Sequence, residues 1–225
     1  MTEQGKMILR NLGAVRAERA IRAADDHFSA RVTQIKCYQQ ARFEHTYSDL
    51  FMHPRYSAAA KFFLDEVYGP GDFTQRDSEF ERIVPALVKL FPEDVVATVV
   101  ALTAAHALSE DFDSEMARNI STAPLTRRAY VTAWQRTGRR EGRRRQIDMV
   151  MDVGRALDVY TQRPLMRRTL TAMRLPARLA GLSSLHSFLT AGFETFYAMH
   201  GADEFLKKIS SRERKEIERL FDAQI

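Results

Sequence analysis

Residues 95–116 read VVATVVALTAAHALSEDFDSEM, a run dominated by valine, alanine and leucine. Pro92-Glu93-Asp94 stands directly before it, with the proline and the acids expected of a first helical turn. The stretch predicts a buried central helix from Val95 to about Met116, and the remaining segments have to pack around it. No run of β-branched residues with period-two alternation occurs anywhere, and no Asn-Gly or Asp-Gly hairpin turn is present. The expected fold is all-α, with roughly eight to ten helices.

On the N-terminal side, Met7, Ile8, Leu12, Val15 and Ile21 recur at three- and four-residue steps, and Phe28, Val32 and Ile35 continue the stripe. That pattern fits one long helix or a broken pair. Ser57–Val67 reads as the next helix, ended by Gly69-Pro70-Gly71. Asp72 or Thr74 then caps a short helix that Pro85 breaks. On the C-terminal side, Asn119–Thr122 is a polar gap before a helix that begins near Pro124 and meets Gly138. Gly142–Tyr160 follows, then two short helices opened by Pro164 and Pro176, and then Ser184–Met199, closed by His200-Gly201. Ser210-x-x-Glu213 has the form of a capping box and starts a last helix through Phe221. Seven prolines placed near helix boundaries imply many short helices crossing at angles, as in globin-like folds. The expected division is an N-terminal arm or helix pair, 1–55, and a compact helical domain, 56–225.

Composition narrows the function classes. The chain has 225 residues, is 45% hydrophobic and 28% charged, and carries a net charge of +5, which are ordinary values for a globular protein. Its longest apolar stretch, Val95–Leu102, is interrupted by Thr98, so no membrane span is expected. The N-terminus lacks the apolar core of a secretory signal, and the expected location is cytoplasmic. One cysteine, Cys37, leaves no internal disulfide framework and no multi-thiolate zinc site. GxGxxG, GxxxxGK[ST], GxSxG, HExxH and Glu-x-x-His are all absent, so no catalytic residue, metal site or required cofactor is assigned.

The charge is segregated. Residues 43–117 hold 14 acidic and 5 basic side chains, whereas residues 118–178 hold 15 arginines and 4 acids. The densest cluster, 136–145, includes Arg139, Arg140, Arg143, Arg144 and Arg145, and its two glycines suggest a turn between helices. Arginine forks in such a turn would either clamp phosphates of a polyanion or pair with the acidic 43–117 region. His106 lies on an otherwise apolar helix. A neutral imidazole there is a candidate haem ligand, and the plainer reading is a hydrogen bond to a carbonyl or to Glu110. His186, beside Leu185 and Phe188, is read similarly. The acids Asp65, Glu66, Asp72, Asp77, Glu79 and Glu81 read as a solvated face. The aromatic groups Phe62, Phe63, Tyr68, Phe73 and Phe188, Phe193, Phe196, Tyr197 read as core, with a ligand cavity as the rarer alternative.

The segments FFLDEVYGPGDFTQRD (62–77) and FLTAGFETFYAMHGADEFL (188–206) resemble an uncharacterised family of bacterial all-helical proteins. That resemblance implies a fold but no activity. The leading expectation is therefore a non-enzymatic helical binding or regulatory protein acting through protein–protein contacts, as a homo-oligomer or with another protein. A globin-like haem or tetrapyrrole sensor using His106 is the first alternative, and polyanion binding through the five arginines is the second.

Overall fold

The computed structural model describes residues 1–120 and 125–224. It is all-helical, with no strand among those residues. The N-terminal stripe is a broken pair: α1 spans Glu3–Ala23 and α2 spans Asp26–Thr46. Thr2 caps α1 by accepting from the Gly5 amide at 3.1 Å, and Asp25 caps α2 by accepting from Phe28 at 3.0 Å. Two short helices follow, α3 (Ser48–Met52) and α4 (Ser57–Phe62). The chain then runs through α5 (Thr74–Leu90), α6 (Glu93–Arg118), α7 (Arg127–Thr137), α8 (Arg140–Thr161), α9 (Pro164–Ala172), α10 (Arg174–Leu179), α11 (Ser183–Ala198) and α12 (Asp203–Asp222).

A central helix forms where its sequence predicts, but it is only partly buried, Val99 to Leu102 being half-buried. α6 packs against α1, α2 and α8, and by length and composition it is the one described helix apolar enough to cross a membrane. Ile8 and Leu12 of α1 join Phe80, Val84, Leu87, Val96 and Leu185 in one apolar cluster. A larger cluster gathers α2, α7, α8 and α12 around Phe43, Tyr47, Tyr130, Met151 and Phe205.

Four local expectations are corrected. Pro85 lies inside α5 rather than ending it. The ring removes one backbone bond, but Phe80, Val84 and Leu87 are buried on both sides of it and hold the helix against α1. Ser210 starts nothing, because α12 already begins at Asp203, with Asp203 and Glu204 in its first turn. The helix expected over Ser57–Val67 changes type, α4 passing at Phe63 into a π-helical segment, Phe63–Tyr68. Finally, only Gly138 and Arg139, at φ 66° and 58°, make the arginine-rich turn, since Gly142 and the arginines after it belong to α8. The gap at Asn119–Thr122 and the start near Pro124 fall on 121–124 and lie largely outside the described residues.

His200 and Gly201 do reverse the chain after α11, both at positive φ. Arg55 holds that reversal by donating to the carbonyls of Met199 at 2.6 Å and Gly201 at 2.8 Å.

Candidate functional site: an interior cavity with a charged wall

The π segment, α2, α5, α6, α8 and α11 surround a cavity of about 220 Å³, extended by side chains of α7 and α12. One wall is apolar and aromatic, built from Phe62, Phe80, Phe188, Ile147, Met151 and Phe196. Glycine shapes it: Phe62 Cζ comes within 3.1 Å of where a Gly192 Cβ would stand, and Leu206 Cδ2 within 2.6 Å for Gly154. A π turn widens the helix and re-aims its side chains. Here it places Phe63, Glu66 and Val67 on the cavity.

The rest of the lining is charged. α6 contributes Thr103, His106, Glu110 and Asp113, a stripe of polar residues at helical spacing. Glu110 receives the Arg22 guanidinium, which also bonds the Glu110 carbonyl at 2.5 Å and Ser114 Oγ at 2.8 Å. Lys36 Nζ donates to the same carboxylate at 2.8 Å. Burial alone would raise the Glu110 carboxyl, but the Lys36 and Arg22 charges outweigh it and hold the group at about 2. His106 Nε2 lies 2.9 Å from Asp77 Oδ2, which Arg19 approaches at 3.0 Å. For Asp77 burial again pushes up, and the His106 hydrogen bond with the His106, Arg76 and Arg19 charges brings the carboxyl below its usual range.

Asp113 is treated differently. It accepts from Gln39 Nε2 at 3.1 Å, and Lys36 Nζ stands 3.9 Å away. Burial dominates and pushes this carboxyl up against the pull of Lys36. Burial likewise pushes the nearby Tyr130 hydroxyl to about 12. Arg76 also lines the cavity, its guanidinium 4.1 Å from the Phe73 ring centre and 4.4 Å from that of Phe188. Arg143 lines it too, 3.9 Å from both the Phe112 and Trp134 ring centres.

Among the residues singled out by sequence, the structure brings His106 and the aromatics Phe62, Phe63, Phe73, Phe188 and Phe196 onto the cavity. The partner of His106 is Asp77 rather than Glu110 or a carbonyl. Asp77 and Glu79 are buried, which corrects the solvated-face reading for those two, while Asp65 and Asp72 are exposed. Glu79 accepts from the Leu185 amide at 2.8 Å and so caps α11. His186 bonds the Leu170 carbonyl at 2.9 Å, away from the cavity, and Cys37 is exposed.

The five arginines are not one surface. Arg143 is buried in the cavity wall. Arg139 pairs with Asp111 at 2.6 Å and Glu115 at 2.9 Å, both in the acidic region. Arg140 and Arg144 reach instead to Glu218 of α12, at 2.8 Å and 2.6 Å, and Arg145 is exposed.

Sequence reasoning missed Lys36, Gln39, Arg76 and Asp113. The signal for Asp113 was present: Thr103, His106, Glu110 and Asp113 fall on one face of a helix that is otherwise apolar. No group of three or more metal-ligating side chains occurs among the described residues. The lining combines an apolar, aromatic part with hydrogen-bonding side chains at Lys36, Gln39 and Asp113. A family model for a domain of unknown function, DUF8198, matches residues 18–225, and the chain belongs to that family. No curated protein and no solved structure matches the chain.

Proposed function

We propose that the protein is a non-enzymatic helical binding protein whose interior cavity encloses a small, largely apolar molecule. The ligand is of the size of one or two fused rings and carries one polar group, placed against Lys36, Gln39 and Asp113. The observation that carries this reading is the meeting of a cavity with buried charge. A concave, mostly apolar lining with a few convergent polar groups is the usual form of a small-molecule site. A ligand that fills the space and engages the polar wall accounts for both.

The cavity also bears on the alternatives. About 220 Å³ lies below the roughly 300–1,000 Å³ of sites for drug-sized ligands, and His106 Nε2 is already engaged by Asp77. Both features favour a ligand smaller than haem. The arginines proposed for polyanion binding are mostly committed to α6, α12 and the core, which favours their structural reading.

Thermal melting with indole, p-cresol and 4-hydroxybenzoate as probes tests the proposal. A probe at about 100 times its Kd should stabilise by about 2.7 kcal/mol, or roughly 5–10 °C, and Val150→Phe, which fills the cavity, should abolish the shift. Without ligand, Val150→Phe should melt no lower than the parent. Absence of any probe shift at millimolar concentration, with Val150→Phe strongly destabilised, would show that the space is not a ligand cavity.

A further inference from the structure

α9 and α10 carry a surface that is both apolar and basic. α9 buries none of its nine residues and α10 buries only Ala177. Leu165 is 73% exposed, Leu175 61% and Leu179 78%, and Met173 between the helices is 45% exposed. Leu175 and Leu179 are four residues apart on α10 and so share one face. Isolated exposed leucines need no explanation, but several on one short element mark an interaction surface.

The same segment is strongly basic. Between Asp158 and Glu194 there is no acidic residue, while Arg163, Arg167, Arg168, Arg174 and Arg178 all occur. Arg163 leans on Asp94 at 3.4 Å and Arg167 on Glu194 at 3.2 Å. Arg168, Arg174 and Arg178 have no ion-pair partner among the described residues. The segment is nevertheless fixed in place at both ends. His186 donates to the Leu170 carbonyl at 2.9 Å, and Arg82 donates to the carbonyls of Ala180 at 2.5 Å and Gly181 at 3.3 Å.

We propose that the α9–α10 face docks on an anionic phospholipid bilayer. The leucines interleave with arginines on the outer side of two helices of 9 and 6 residues. Such helices are far too short to span, since nine residues reach only about 14 Å against a hydrocarbon core of about 30 Å. They suit the interface plane, where the apolar side chains enter the acyl boundary and the arginines reach back to lipid phosphates. A second copy using this same face is disfavoured, because a two-fold contact would set arginine against arginine. Three unpaired arginines, at about fivefold each, give on the order of a hundredfold preference for anionic over neutral vesicles at low salt. This surface is separate from the cavity, and the proposal stands independently of the ligand reading.

The test is flotation of the full chain with vesicles of phosphatidylcholine alone or with about a third phosphatidylglycerol. Binding to the anionic vesicles is expected, falling at least tenfold in Arg174→Glu/Arg178→Glu and in Leu175→Ser/Leu179→Ser. Both pairs should keep the parent's helical content and melting temperature, because all four side chains are exposed. Leu179→Trp gives a second reading, and its emission should shift to the blue on anionic vesicles. No binding to those vesicles at low salt would overturn the proposal. So would binding undiminished by the leucine substitutions, which would mark the face as a site for an acidic protein or polymer instead.

Discussion

Residues 139–145 and 163–178 each hold five arginines, yet the fold puts them to opposite use. In the first run Arg143 is 4% exposed between two aromatic rings, and Arg139, Arg140 and Arg144 each meet a carboxylate of α6 or α12. In the second, three arginines stand in solvent among exposed leucines. The difference lies in what packs opposite. α8 lies between α6 and α12, both rich in acids on the facing side, whereas α9 and α10 lie over α8 and α11, which offer Glu194 alone to Arg167. Arginine content therefore marks an anion site only where the neighbouring elements leave it unpaired.

That contrast is breakable at graded cost. The largest effect is expected at the acid that holds the interior cations. Glu110→Gln leaves Arg22 buried without its counter-charge and Lys36 with only the more distant Asp113, and should cost about 3–5 kcal/mol, or roughly 6–20 °C in melting temperature. Acid should reproduce most of this. The folded Glu110 carboxyl sits at about 2 against an ordinary 4.5, so its contribution is complete above about 4.5 and disappears as pH falls toward 2. The linked loss is on the order of 3 kcal/mol. Asp113 acts in the opposite direction, because burial raises its carboxyl and protonation relieves it. Urea melts between pH 5 and 2.5 should therefore show an acid-labile parent and a much flatter Glu110→Gln variant. Arg143→Ala removes a guanidinium stacked 3.9 Å from both Phe112 and Trp134, and calorimetry should show a loss of about 2–4 kcal/mol. At the other extreme, Arg174→Ala and Arg178→Ala should each change stability by no more than about 0.5 kcal/mol, because nothing in the fold leans on them. A cost above about 2 kcal/mol there would erase the contrast.

Much of this architecture is legible in the chain. The run 95–116 and the reversal at His200-Gly201 each follow from local residue chemistry, whereas the N-terminal stripe left one long helix or a broken pair open, and the break after Ala23 came from the structure. What misled was local chemistry that tertiary packing overrides. Pro85 is a helix breaker by itself, but the buried residues around it keep α5 intact. Ser210 and Glu213 have the spacing of a cap, yet Glu213 instead takes the Arg42 fork at 3.0 Å and 2.9 Å. The cavity was half legible. Its aromatic residues and His106 stood out, but Lys36, Gln39 and Arg76 come from helices separated in sequence, and no local pattern shows that they converge. The π segment had no sequence sign at all, although it lies within the FFLDEVYGPGDFTQRD stretch.

The claim that organises the molecule is that its centre is a ligand site. A crystal soaked with 4-bromophenol and measured at the bromine edge tests it most directly. The account predicts an anomalous peak inside the cavity, in contact with Phe62 and Met151, with the phenol oxygen toward Lys36, Gln39 and Asp113. Bromine found only on the surface, or a cavity filled by its own side chains, would contradict it.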